Sequence, residues 1–177
     1  MGRARRPIQI VILMLIVILG GYAVGTAVFG GGENIRPKVG DSPPDFNLRG
    51  LDGQVHNLDK YQGKSLVINF WATWCKFCVS EMPALQTQWE KWQDQGVVIL
   101  GINTGEDDIT VSNFVKQTGV DFPILFDKQN EIVGKYGVVP MPTTFFVNKK
   151  GKITSIIQGE LDLKTLNQQI DQLVRSR

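Results

Sequence analysis

The N-terminal stretch from Ile8 to Phe29 is apolar, broken only by Gln9, Thr26 and small residues. At about 1.5 Å per residue its 22 positions make roughly 33 Å of helix, enough for a hydrocarbon core of about 30 Å. Beyond it the pattern alternates between two periods. "DFNLRGLDGQVHNL" predicts a short hairpin turning at "LDGQ". "SLVINFW" (Ser65 to Trp71) is a continuous apolar run of strand length, suited to a sheet buried on both faces. From about Cys75, Val79, Met82, Leu85, Trp89 and Trp92 recur at three- and four-residue spacing, which predicts a helix closed by Gly96. "VVILGIN" is the next buried strand, and "EDDITVSNFVKQTG" reads as a helix, acidic at its start and ended by glycine. "FPILFD" is strand-like and "NEIVGKYG" a short helix, while "TTFFVNKKGKITSIIQG" predicts a second hairpin turning at "NKKG". Leu163, Leu166, Ile170, Leu173 and Val174 form the apolar stripe of a last helix capped by Asp162. Strand–helix alternation giving way to a hairpin and a helix implies an α/β fold, a mixed sheet covered by helices.

Charge changes the reading of the N-terminus. Arg3, Arg5 and Arg6 precede the apolar run and no acidic residue occurs before Glu33, so the positive-inside rule keeps the N-terminus cytoplasmic and exports the chain beyond Phe29. Gly25 and Ala27 would also suit a cleaved signal peptide. The apolar stretch continues past Leu19 far enough to span, so we read it as a retained anchor. No cysteine follows it closely, which excludes lipid attachment through an N-terminal cysteine. "GGGENIRPKVGDSPPD" (Gly30 to Asp45) reads as a tether. From Gly30 onward 16 Lys and Arg face 17 Asp and Glu, a net of −1, which gives no nucleic-acid footprint.

The chain has two cysteines, Cys75 and Cys78, and one histidine, His56. The exported side of a membrane permits disulfides. Cys75 falls where a buried strand ends and a helix begins, where unpaired N–H groups and the helix dipole favour a thiolate. Cys78 lies one turn on, less exposed, as a resolving sulfur should. A static clip over so short a loop restrains little of the unfolded chain. Zinc needs more ligands than these residues supply, and a two-thiolate copper(I) site stays open beside the redox reading.

"VINFWATWCKFC", Pro83, and later "VVPMPTTFFV" resemble the thioredoxin superfamily. More closely, the anchor, "GDSPPDFNL", "NFWATWC" and "FDKQNEIVGKYGVVPMPTTFFVNKKGKI" are similar to its membrane-anchored ResA and TlpA branch, over nearly the whole chain. The resemblance implies a thioredoxin-like domain over residues 46–177, behind a cytoplasmic segment (1–7), a signal anchor (8–29) and a linker (30–45). It implies that Cys75 is the nucleophile and Cys78 the resolving thiol. Pro142, between Met141 and Thr143, matches the family's cis-proline, with Pro140 the competing position. Trp74, Phe77, Met141 and Pro142 are the expected substrate contacts, Trp74 also shielding the disulfide. Thioredoxin's buried acid falls on Asn69, which cannot take a proton. Glu81, one turn beyond Cys78, is the expected acid–base residue, against a reading as a solvated helix-surface glutamate. Lys76 and Phe77 replace the usual proline-containing pair, leaving the redox potential open. Trp71 suits the site and the core equally, Trp89 and Trp92 suit the core, and His56 suits the surface or packing.

The expected activity is a tethered thiol-disulfide oxidoreductase with no cofactor and no metal. By resemblance it reduces disulfides in exported proteins, such as the CxxCH motif of apocytochrome c, and is re-reduced by a membrane thiol donor of the CcdA/DsbD kind. The alternatives are a disulfide-introducing oxidase and a copper-handling dithiol chaperone. A peroxidase is disfavoured because Ala72 stands where its threonine would be.

Overall fold

The computed structural model describes residues 12–21 and 36–175. The chain divides into two compact units, Met1–Ile35 and Arg36–Arg177. In the first, residues 12–21 form helix α1 with exposed side chains. Among the described residues no helix is long and apolar enough to cross a membrane. The expected span over 8–29 extends past α1 at both ends, into residues outside the described set.

The second unit is built on a five-stranded sheet of order β5-β4-β3-β6-β7, with β3 (Ser65–Trp71) at its centre. β3 pairs parallel with β4 (Val97–Thr104), and β4 pairs parallel with β5 (Ile124–Asp127). β6 (Thr143–Val147) runs antiparallel to β3, and β7 (Ile153–Gln158) antiparallel to β6. All seven residues of β3 are buried, which is why its sequence shows no alternation. On one face α2 (Lys76–Trp92), α3 (Asp108–Thr118) and α5 (Leu163–Arg175) supply a core with Met82, Leu85, Val111, Leu166 and Ile170. On the other, the hairpin of β1 (Asn47–Arg49) and β2 (Val55–Asn57) and the short α4 (Glu131–Tyr136) enclose Phe46, Leu48, Ile132, Tyr136 and Phe145.

The helix ends follow the expected chemistry. Asp107 caps α3 by accepting from the Ile109 and Thr110 amides, and Gly119 ends it in the left-handed region. Asp162 accepts from the Thr165 amide at the start of α5. Trp92 is buried, and Trp89 is half-buried against the same core.

Two local findings refine the sequence reading. Residues 36–45 were expected in the tether, yet Pro37 and Pro43 are buried and the Gly40 amide donates to the Ile153 carbonyl at 2.8 Å. His56 is buried: one ring nitrogen pairs with the Tyr61 hydroxyl, the other with Asp52 at 3.1 Å. Both its nitrogens are taken, so it is a bonded core histidine.

Gly101 in β4 explains itself by crowding. A methyl group there would lie 2.8 Å from Ile124 Cδ1, 3.0 Å from Phe122 Cε2 and 3.1 Å from Trp71 Nε1. Gly101→Ala is expected to destabilise the domain by about 1–3 kcal/mol, read as a lower urea midpoint with an unchanged slope. A variant as stable as the parent would mean that these side chains yield without loss of packing.

Candidate functional site: a dithiol at a helix N-terminus

The buried β3 ends at Trp71, and the chain turns once before α2. Cys75 is the N-cap of α2, with extended backbone, and its sulfur accepts a hydrogen bond from the Cys78 amide at 3.2 Å. That contact places an orphan N–H and the positive end of a 17-residue helix on the sulfur, a setting that favours a thiolate when the pair is reduced. Cys75 and Cys78 are joined as a disulfide. Cys75 is 8% exposed and Cys78 fully buried, so a partner reaches the first sulfur and not the second.

The side chains around the disulfide divide by exposure. Trp74 and Phe77 are 68% and 60% exposed, an apolar pair beside the accessible sulfur. Such exposure suits Trp74 to a partner contact better than to the shielding role expected from sequence. Trp71 is fully buried and packs at a tilt against Phe114, which decides for the core. The peptide bonds before Pro140 and Pro142 are both cis. Met141 between them is half-buried, and its sulfur accepts from Thr104 Oγ1 at 3.3 Å. The loop is closed by Thr143 Oγ1 donating to the Pro140 carbonyl at 2.6 Å, and the Pro142 carbonyl accepts from the Gly159 amide at 2.8 Å.

Glu81 is 1% exposed, which removes the reading of it as a solvated surface residue. Asn69 Nδ2 donates to one carboxyl oxygen at 2.7 Å and the Leu161 amide to the other at 2.9 Å. Burial pushes the carboxyl up to about 7; the hydrogen bonds from Leu161 and Asn69 pull the other way, and the nearby Glu160 adds to the rise. Asn69 also donates to Thr144 Oγ1 at 2.9 Å, while its own Oδ1 is buried without a partner. The position that holds thioredoxin's acid is therefore an amide that orients an acid one layer away.

Sequence reasoning missed Glu106. It accepts from the Thr73 amide at 2.8 Å, from the Thr73 hydroxyl, and from Asn103 Nδ2 at 2.7 Å. It thereby ties the β3–α2 turn, two residues before Cys75, to the end of β4. The only signal was an acidic residue directly before a helix cap, which reads as part of the cap itself. Among the described residues no group of three His, Cys, Asp or Glu side chains is arranged to hold a metal.

A redox-active cysteine pair capping the first helix after a central strand, faced by a cis-proline loop, defines a thioredoxin-superfamily protein. The chain belongs to the AhpC/TSA family, which matches residues 39–156, and its relatives are thiol-disulfide oxidoreductases. It is 38% identical over 169 residues to the thiol-disulfide oxidoreductase ResA of Geobacillus thermodenitrificans, covering 96% of both chains. It is 37% identical over 150 residues to ResA of Bacillus subtilis, covering 85% of this chain and 83% of that one. Among solved structures it is similar to a secreted Mycobacterium tuberculosis disulfide oxidoreductase homologous to E. coli DsbE. That match has a TM-score of 0.67 and 26% identity, covering 72% of this chain and 96% of the other.

Proposed function

We propose that the protein is an extracytoplasmic protein-disulfide reductase, held to the outer face of the bacterial cytoplasmic membrane by residues 8–29. Its substrates are exported proteins, with the CxxCH haem-binding motif of apocytochrome c the leading candidate. The observation that carries the reading is Cys75 itself: the accessible sulfur of the pair, seated on the Cys78 amide at a helix N-terminus.

The reaction follows from this placement. The Cys75 thiolate attacks one sulfur of the substrate disulfide; that bond breaks, one substrate thiolate leaves, and a mixed disulfide forms. Trp74, Phe77 and the Met141–Pro142 loop hold the substrate segment alongside. Cys78 passes its proton to Glu81 and attacks the Cys75 sulfur, releasing the second substrate thiolate, which is protonated as it leaves. Two electrons have passed to the substrate, and the enzyme carries the Cys75–Cys78 disulfide. A membrane thiol donor of the CcdA/DsbD kind returns the pair to its reduced form. The anchor serves that step by raising the local concentration of enzyme around its donor.

Two measurements test the reading. Cys78→Ala is expected to accumulate mixed disulfides through Cys75 in membranes, resolved on non-reducing gels and identified by mass spectrometry; a variant that traps nothing would defeat the two-step scheme. A redox titration of the pair gives the direction. A potential near that of thioredoxin, about −270 mV, supports the reductase, and one near that of DsbA, about −120 mV, would turn it into an oxidase.

A further inference from the structure

We propose that Glu106 is a positioning residue for the reduced enzyme: once the disulfide opens, its carboxylate keeps the Cys75 sulfur on the Cys78 amide. The inference deepens the reading above and rests on Cys75 as the nucleophile.

While the pair is oxidised, the S–S bond itself fixes Cys75 against Cys78. Reduction removes that link, and the seat must then be kept by the turn that leads into α2. Residues 72–74 form this turn, between the end of β3 at Trp71 and the N-cap at Cys75. Within it the Cys75 amide donates to the Ala72 carbonyl at 3.2 Å, the long end of the usual range. Glu106 holds the turn from outside. Thr73 donates to it through its amide at 2.8 Å and again through its hydroxyl, so both carboxyl oxygens are engaged. Hydrogen bonds to a charged acceptor are roughly twice as strong as neutral ones.

The carboxylate is braced in turn. Asn103 Nδ2 donates to it at 2.7 Å, and Asn103 is buried near the end of β4, in register with Trp71. Gly105 follows at φ +72°, its amide donating to the Asp127 carbonyl at 3.0 Å. The bland role for Glu106, as part of the α3 cap, is filled by Asp107, which accepts from the Ile109 and Thr110 amides. A carboxylate so placed acts on Cys75 by two routes of opposite sign. The held turn keeps the sulfur on an amide and favours the thiolate, while the like charge opposes it. The first route weighs more, because the bonds are direct and the charge of a half-buried group is screened by solvent. The other charged groups on the elements around Cys75 are Lys76 and Glu81 on α2, Glu160 after β7, and Asp107 and Asp108 at the start of α3. Glu81 is bound by Asn69 and Leu161, Glu160 accepts from Ser80 Oγ, Asp108 pairs with Lys128, and Lys76 stands exposed.

The test uses the full chain in detergent carrying Cys78→Ala, in which Cys75 is the only thiol and the amide at position 78 remains. Alkylation of Cys75 by iodoacetamide is followed across pH, with and without a change at Glu106. Glu106→Ala is expected to slow the reaction at about pH 7 about five-fold, the order of one lost N-cap contact, by raising the midpoint of the profile. The plateau at high pH is expected to stay. Glu106→Gln keeps an acceptor for the Thr73 amide and a donor for its hydroxyl, and is expected to follow the parent. Thr73→Val deletes only the hydroxyl arm and is expected to move the midpoint the same way by less, which keeps the test open should Glu106→Ala not fold. A midpoint raised equally in both Glu106 variants also supports the seat and assigns it to the charged bond. A midpoint lowered in both would overturn the proposal, since the charge would then outweigh the geometry. So would an unmoved profile beside a lower melting temperature, which makes Glu106 a structural tie only. Mapping alkylation on the reduced parent, with both thiols present, separates the two levels. Modification of Cys78 ahead of Cys75 sinks the nucleophile and the positioning together; Cys75 first, with a profile indifferent to Glu106, sinks the positioning alone.

Discussion

Cys75→Ala is expected to reduce disulfide reduction, followed by insulin precipitation, to the rate of the dithiol reductant alone. Cys78 cannot substitute, because it is fully buried and a substrate disulfide does not reach its sulfur. The effect on folding is expected to be small. The disulfide joins residues only three apart, and the chain-entropy model assigns a loop of that size about 2 kcal/mol at most. Thermal melts of the variant and of the reduced parent should therefore nearly coincide. A variant that keeps more than about a tenth of the parent rate, a barrier change under about 1.4 kcal/mol, would show that the second sulfur can start the reaction.

Glu81→Gln is expected to fold, and to slow the resolution of mixed disulfides by about 10²-fold, the lower end of what a positioned acid–base group supplies. The parent carboxyl, pushed up to about 7 by burial, gains the capacity to take the Cys78 proton as pH rises through that value. Resolution by the parent should therefore accelerate between about pH 6 and about pH 8, and the variant should show no such rise. Accommodation of glutamine has a specific basis. Asn69 Oδ1 is buried without a partner, so a turn of the Asn69 amide offers an acceptor to the new amide nitrogen. Stability carries a second signature. The folded state keeps the Glu81 proton up to about 7 while the unfolded chain releases it near 4.5, so the native state binds more protons between the two. Parent stability must then fall as pH rises across that window and level off above it. Glu81→Gln should lack this contribution, as urea titrations at about pH 5 and about pH 8 would reveal. A variant with the parent's pH profile for resolution would exclude Glu81 as the proton acceptor.

These expectations draw on different depths of the chain. The Cys75 argument was open to the sequence, because every part of it is local: an apolar run, a cysteine at the junction, helical spacing beyond. The Glu81 argument was half open. Helical spacing put Glu81 one turn past Cys78, but the groups that bury and bind it are Asn69, 12 residues back, and Leu161, 80 residues on. The same distance hid Glu106, whose tie to Thr73 spans 33 residues, and the His56 network, which exists only once the hairpin folds onto Tyr61. Composition misread residues 36–45 for a related reason. Glycine and proline mark a chain without its own regular structure, and that is equally true of a tether and of a segment bonded to the edge of a sheet.

By itself the sequence determined the order and type of the elements, the burial of the central strand and the place of the cysteine pair at a strand–helix junction. Those are properties of periodicity and of residue type at a boundary, and both are written within a dozen neighbouring positions. The tertiary structure alone decided that Glu81 sits dry between an amide and a backbone N–H, and that Trp74 stands in solvent while Trp71 does not. Each of these depends on which distant strands lie side by side, and pairing across tens of residues leaves no periodic mark on the chain.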